Sequence, residues 1–529
     1  MTNRSRAIAL VLSAALSWLL TGAPARGQGY ICAEGGGAFG RGGWSEPIVA
    51  WMVEKGQKGR VVLLGAARDA RQDESGPPPG GGADEPRADA LVERFKSAGA
   101  AGVTDLRIDA ASAREPAAAR AIDEATIVFI RGGSQTRYVN DWRGTPVEAS
   151  LRALFKRGGV IGGTSAGCAV LGEVIYDAQK GSLAAADILR DGRHERLTLA
   201  TGFLELTPGV LFDTHFTERG RLPRLAVMLA AARADLKREV LGVGIDTRTA
   251  LCISPDGTAE VMGDGSVTLL QLPAADARGA ALTAVLRAGL PPAVTALTGS
   301  SLVAGYRVDL RAGRVIGRPA HASVFDEEHP LPRTAPNLRP GRVRGGEIED
   351  ADAGEQVLED GDEPRSLRLG ALREVRGRAR WQSAAVQPRA LDDRDRIENR
   401  VGGLLWLLSR HPGWIGVMLS SGIDAEADAR GLLRARLPLR DADEGDEGER
   451  AAEAKPSALI VIDTHAITSV AESVSLDGSE SEGPRQSVAL EGFRLHILPP
   501  AWGFRPLPPS EEATTNQAGP MHPAEFEGR

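Results

Sequence analysis

Ser165 stands between two glycines in Gly163-Thr164-Ser165-Ala166-Gly167, directly after the apolar run Val160-Ile161-Gly162. A serine hydroxyl is a weak nucleophile until a neighbouring base takes its proton. Glycines on both sides permit a sharp strand-to-helix turn, which lifts the hydroxyl out of a sheet above the positive end of the helix that follows. The five residues satisfy Gly-x-Ser-x-Gly in every position, yet so short a pattern equally fits a Gly-rich turn whose serine only caps a helix. A histidine lies further on. The strand-like Gly209-Val210-Leu211-Phe212 delivers Asp213 and His215 to its end. Residues two apart in extended chain share a face, so these two can look the same way. Arg219, Arg221 and Arg224 follow closely. The plain alternative for three arginines is a solvated helix face. First helical turns favour acids, however, and the nearness of a histidine and an aspartate raises the case for binding of an anionic group.

Metal chemistry has less to build on. Cys32, Cys168 and Cys252 are odd in number, fit no metal template and sit in apolar contexts, so buried free thiols are expected. His465 and His496 lack companion ligands and read as histidines on sheet faces. No metal or organic cofactor is expected.

The elements that must position these residues alternate. Apolar strands are expected at Tyr30–Ala33, Arg60–Ala66, Val103–Ile108, Ala125–Ile130 and Val160–Gly162. Helical spacing is found at Trp44–Lys55, Ala88–Ala98, Ala111–Asp123 and Val147–Lys156, with a Gly-, Pro- and acid-rich surface loop at Gln72–Arg87. Near-continuous apolar strands alternating with helices predict an α/β fold with a parallel sheet covered on both faces. Ligands of such sheets bind outside the carboxyl ends of the strands. Gly-rich loops follow Ala33 (Gly35-Gly36-Gly37), Ile130 (Gly132-Gly133) and Ile161, so all three fall at such ends and are predicted to converge. None ends in the Lys-Ser/Thr of a phosphate loop. Beyond the elbow, Leu225–Ala232 is expected as a helix and Leu241–Thr249 as a strand. Asp256-Gly257 and Asp264-Gly265 are hairpin signals that close the sheet with antiparallel strands.

In this order the segments resemble the cyanophycinases, serine peptidases related to aspartyl dipeptidases. The resemblance rests on the glycine loop near Gly35, Gly132-Gly133-x-Gln135, the elbow, Gly209-Val-x-x-Asp213-x-His215-Phe216-x-x-Arg219-Gly220-Arg221-x-x-Arg224-Leu225, and Gly242-Val-Gly-Ile-Asp246. It covers about Tyr30 to Leu272. It implies a three-layer αβα sandwich with a mostly parallel sheet, of the class I glutamine amidotransferase type. It also implies Ser165 as nucleophile and His215 as general base, with the backbone amides of Gly133 and Ala166 as oxyanion donors. Gln135, Asp213, Arg219, Arg221 and Arg224 would surround the substrate. That substrate would be cyanophycin, a poly-aspartate backbone with arginine on each side chain, or a related isoaspartyl or acidic peptide; the product would be a β-Asp-Arg dipeptide. In one place the chain departs from the family. Where the pattern is Gly-Ile-Asp-Glu, with the glutamate orienting the histidine, this chain has Gly244-Ile245-Asp246-Thr247. Thr247 offers the triad a hydroxyl in place of a carboxylate, and Asp213 is a candidate replacement acid. Ser134 also stands where an acid or amide is usual. A homologue that binds Asp-Arg-like ligands without turnover is therefore the rival expectation. An amidase of the same fold would carry cysteine at the elbow, where this chain has serine.

Composition bounds the rest. The chain has 529 residues, 42% hydrophobic and 4% aromatic, with 64 Gly and 32 Pro, which suits a globular protein with long irregular segments. A net charge of −7 without a dominant basic patch argues against nucleic acid as a partner. Arg4 and Arg6, the apolar run Ala7–Leu20 and Ala23-Pro24-Ala25 read as an export signal over 1–25, too short for a confident membrane span. Export to the periplasm or medium, with no other membrane contact, is expected; a homodimer is compatible with all of this. The expected organisation is a catalytic domain over 30–272, an insertion with acidic linkers over 273–455, strands over 456–507 returning to the catalytic domain, and a disordered tail over 508–529.

Overall fold

A computed structural model describes residues 29–67 except 38 and 40–42, residues 88–274 and 284–331, and shorter segments beyond, the longest being 412–419, 456–475 and 485–505. The expected export segment, the Gln72–Arg87 loop and most of the acidic runs lie outside the described residues.

The first half alternates strand and helix as its apolar spacing dictates. The strands are β1 (Tyr30–Glu34), β2 (Arg60–Ala66), β3 (Gly102–Ile108), β4 (Ile127–Ile130) and β5 (Val160–Thr164). They pair in parallel in the order β1-β5-β4-β2-β3. Every residue of β4 and β5 is buried, as a sheet covered on both faces requires. On one face Cys32, Leu63, Phe129 and Val160 pack against the helices Glu46–Lys55 and Ala88–Ser97. On the other, Ile31, Leu64, Val128 and Ile161 meet Tyr138, Trp142 and Leu151 of the helices Gln135–Trp142 and Pro146–Lys156. Because β1, β5 and β4 are neighbours, the three glycine-rich loops at their carboxyl ends lie side by side.

The expectation of a single mostly parallel sheet holds for the first five strands, and the strands after the elbow divide between two sheets. The chain after the elbow forms β6 (Gly172–Tyr176), β7 (Leu199–Ala200), β8 (Thr207–Thr214) and β9 (Leu241–Ile245). It then forms β10 (Thr249–Ile253), β11 (Thr258–Gly263) and β12 (Val267–Gln271). Only β10 and β11 extend the first sheet, antiparallel to β1, giving it nine strands with two further short ones. β6, β8, β9 and β12 belong to a second, fourteen-stranded sheet. The reason is covalent. A parallel neighbour needs a crossover of a dozen or more residues, and only Ser165–Leu171 separates β5 from β6. With both edges of β5 already taken by β1 and β4, a chain returning after so short a link joins another sheet.

Within the second sheet β6, β8 and β9 are parallel and the remaining pairings are largely antiparallel. The strands Ala293–Leu302, Arg485–Leu498 and Leu459–Asp463 continue it beyond β12. One face of β8 and β9 (Phe212, Val243, Ile245) joins the core of the first sheet. The other, through Leu211, packs with Leu225, Met228 and Leu229 of the helix Leu222–Ala231. Cys32, Cys168 and Cys252 are all buried and free.

Candidate active site

Ser165 occupies the turn between β5 and a single helical turn, Ala166–Ala169. Its φ of 51° and ψ of −117° lie where residues with a Cβ rarely sit. The two glycines make that bend possible by close approach. A Cβ on Gly163 would come 2.3 Å from the Gly167 carbonyl oxygen, and one on Gly167 would come 2.2 Å from that of Ile130. The elbow is clamped on both sides. Ser165 N–H donates to the Glu34 carbonyl at 3.0 Å, while the Ser165 carbonyl accepts from Cys168 and Ala169 N–H. The helix expected beneath the serine is only one turn long, so it contributes a few free N–H groups and little dipole. Ser165 itself is half-buried and reachable from solvent.

His215 arrives from the second sheet. It directly follows β8, its backbone is again left-handed (φ 45°), and its N–H donates to the Gly35 carbonyl at 2.9 Å. Its Nε2 lies 2.9 Å from Ser165 Oγ. The imidazole rests on Gly36, where an added Cβ would meet Cε1 at 2.2 Å and Nε2 at 2.5 Å. The β1 loop therefore forms the surface against which the imidazole is placed. Glu34, fully buried, accepts the Gly36 N–H at 2.9 Å and fixes that loop.

The loop after β4 approaches from the other side. A Cβ on Gly132 would stand 3.6 Å from that of Ser165. Tyr138 Oη lies 2.9 and 2.8 Å from the carbonyl oxygens of Arg131 and Gly132. In a trans peptide the N–H points opposite to the C=O, so holding the Gly132 carbonyl toward Tyr138 turns the Gly133 N–H away from it. Arg131, 1% exposed, anchors this loop to Asp105 through two hydrogen bonds. Ala166 is buried immediately after the serine.

The five expected substrate residues divide. Asp213 and Arg224 are 4% and 2% exposed and take up each other's hydrogen-bonding groups. Arg224 Nε donates to Asp213 Oδ2 at 3.0 Å and Nη2 to Oδ1, and the guanidinium lies over the Tyr176 ring at 4.9 Å. With its carboxylate committed in this way, Asp213 holds Arg224 in place. Arg221 hydrogen-bonds the Thr214 carbonyl and Asp213 Oδ1, and burial together with Arg224 lowers its pKa. Gln135 is half-buried with its Nε2 3.4 Å from the Tyr176 carbonyl, and Arg219 is exposed. Ser134 caps the helix Gln135–Trp142, accepting the Arg137 N–H at 3.4 Å.

Thr247 is expected inside a strand over Leu241–Thr249, but β9 ends at Ile245 and Thr247 lies in the turn between β9 and β10. Its N–H and Oγ1 both donate to Glu218 Oε1, at 2.8 and 2.5 Å. Glu218 is the residue that motif reasoning passed over. The available signal was an acid three places after the histidine in a chain lacking the acid at 247. Its Oε2 is buried with no hydrogen-bond partner among the described residues. Burial first, and then the neighbouring Asp246, push its carboxyl up to about 7. Asp246 is occupied elsewhere, accepting from Thr217 N–H and from Ser266 N–H and Oγ. The two distal histidines stay apart from this site. His465 Nδ1 pairs with Asp463, and His496 accepts the Ala296 N–H; burial takes the latter's pKa down to about 4.

This arrangement places a hydroxyl, an imidazole and glycine loops together, as acyl transfer requires. Residues 84–261 match the family model of peptidase family S51. Over that segment the chain is similar to peptidase family S51. Among curated relatives, the cyanophycinase of Synechococcus elongatus is 38% identical over 163 residues, 31% of this chain and 47% of its own length. That of Trichormus variabilis is 35% identical over 181 residues, 34% of this chain and 56% of its own. The chain thus spans about half the length of the curated relatives it matches. Among solved structures, a peptidase from an acI-B1 Actinobacterium matches with a TM-score of 0.37 at 18% identity, covering 54% of this chain and 98% of its own. The S51 match takes in the elbow, His215, Glu218 and Thr247.

Proposed function

We propose that this chain is an exported serine-type peptidase that hydrolyses cyanophycin, or a related isoaspartyl or acidic peptide, to β-Asp-Arg-type dipeptides. The observation that carries the reading is the 2.9 Å separation of Ser165 Oγ and His215 Nε2 across two sheets, with the serine held in a left-handed turn. His215 takes the hydroxyl proton as Ser165 Oγ attacks the amide carbon of the polymer backbone. The oxyanion that forms is met by the N–H groups of Gly133 and Ala166, which act most strongly where charge develops. His215 then gives its proton to the departing amine, leaving an acyl-serine. Water, activated by the same imidazole, releases the dipeptide. Arg219 and Gln135, outside the buried Asp213–Arg224 pair, are assigned to the carboxylate and guanidinium ends of the substrate. Export rests on the N-terminal pattern of Arg4, Arg6, Ala7–Leu20 and Ala23-Pro24-Ala25.

The second reading, ligand binding without turnover, is favoured by the threonine at 247. The experiment that separates the two is incubation of the purified chain with cyanophycin. Release of dipeptide that Ser165→Ala abolishes supports the peptidase. Saturable binding of the dipeptide with no release supports the binding protein.

A further inference from the structure

We infer that Glu218 is the acidic positioning residue of this site, holding Thr247 through one carboxylate oxygen and stabilising His215 in its protonated form. The inference rests on the peptidase reading above and deepens it, because it supplies a negative charge that Thr247 lacks.

Three observations carry it. First, the segments bearing His215 and Thr247 grip the same loop. His215 N–H donates to Gly35 O at 2.9 Å, and Arg248 N–H donates to Gly36 O at 2.7 Å. β8 and β9 are parallel neighbours with Thr214 opposite Ile245, so the residues following them emerge together at one sheet end. Second, Glu218 stands three residues after His215 in the turn 215–220 and crosses to bind both donors of Thr247 through Oε1. Third, Oε2 is buried and has no hydrogen-bond partner among the described residues. A carboxylate oxygen in that state is costly unless a positive charge forms nearby, and the peptidase cycle forms one on His215. Asp213 is taken up by Arg224 and Asp246 by Thr217 and Ser266, while Glu34 accepts the Gly36 N–H and is the rival acid that the test must separate. The proton removed from Ser165 stays on His215 and leaves with the amine. Glu218 takes no part in that transfer; in its ionised form it is the counter-charge to the imidazolium.

The test uses the full chain and two readouts: cyanophycin cleavage, and the His215 imidazole titration by NMR, assigned with His215→Ala. Removing a nearby negative charge makes an imidazole easier to deprotonate. Glu218→Gln is therefore expected to lower the His215 pKa and shift the acid limb of kcat/KM to lower pH. It should also cut kcat ~10²-fold or more while KM stays within ~3-fold. The other charged groups of these segments are unchanged in that variant: Glu34 at the end of β1, Arg219 next on the turn, and Asp246 and Arg248 between β9 and β10. The double variant Glu218→Gln/Thr247→Glu returns a carboxylate to 247 and is expected to regain most of the loss, which a packing defect would not permit. Where Glu218→Gln folds poorly, Thr247→Val cuts the same link and is read in the same two ways. A folded Glu218→Gln with an unmoved His215 titration overturns the inference, as does Glu34→Gln producing the shift in its stead. A wild-type chain that leaves cyanophycin intact defeats the peptidase reading alone, because the titration reads the counter-charge without turnover.

Discussion

Ser165 is held in a backbone conformation that stores free energy, and its φ of 51° shows where. A non-glycine residue in such a region costs of order 1–3 kcal/mol. Ser165→Gly is therefore expected to abolish cleavage and raise unfolding free energy by about 1 kcal/mol, read from urea denaturation. A fall in stability would mean that the serine side chain anchors the turn through its hydrogen bonds. Glu218 carries the opposite signature in pH. Its folded pKa, about 7, lies above the ordinary value of 4.5, so ionising it disfavours the folded state. That contribution is intact below pH 4.5 and is lost as pH rises through about 7. Glu218→Gln should accordingly be more stable than wild type at pH 8, with the difference closing near pH 4. Denaturation midpoints at the two pH values check this, and a difference that grows on acidification would refute the assignment. Ser165, His215 and the arginine cluster were legible as residue types at revealing spacings. Glu218 was not, because its significance depends on a hydroxyl 29 residues on that only the fold brings to it.

At the scale of elements, the glycine loops were legible because parallel strands present their carboxyl ends to one edge. What the pattern withheld was which sheet a strand joins. An apolar run such as Val210-Leu211-Phe212 reads the same in either sheet, and only the short Ser165–Leu171 connection betrays the departure from the first. The consequence is that serine and histidine are carried by different sheets and meet across the β1 loop. Gly36 is the contact point, with φ of +127° and no room for a methyl beside the imidazole. Gly36→Ala must either displace the His215 ring or strain the loop. Its expected effect is a kcat loss of ~10²-fold or more, since misplacement by about 1 Å costs that much, with far-UV circular dichroism unchanged. Near-normal turnover in Gly36→Ala would show that the imidazole has room to retreat and still reach Ser165.

At the scale of the whole molecule, the sheet that holds β8 does not end where the S51 match ends. β12 pairs with the strand Ala293–Leu302, which pairs in turn with Arg485–Leu498. Phe493 is fully buried and lies on Gly299, where an added Cβ would come 2.2 Å from its Cε2. Its neighbours Leu297, Leu490 and Leu495 share a core with Leu225 and Met228 of the helix behind β8 and β9. A truncation here is therefore felt along one continuous sheet. Phe493→Ala removes a fully buried ring, and such changes cost about 3–5 kcal/mol. The expected result is a lowered denaturation midpoint with the His215–Ser165 geometry intact, so cleavage per folded molecule at low temperature stays near wild type. Following unfolding by loss of cleavage and by intrinsic fluorescence then tests the coupling. Coincident transitions, both shifted by the same amount, mean that the C-terminal strands and the segment bearing His215 unfold as one cooperative unit. An early fluorescence transition that leaves cleavage unaffected would mean that the strands past β12 form a separate unit, with His215 positioned by β8 and β9 alone.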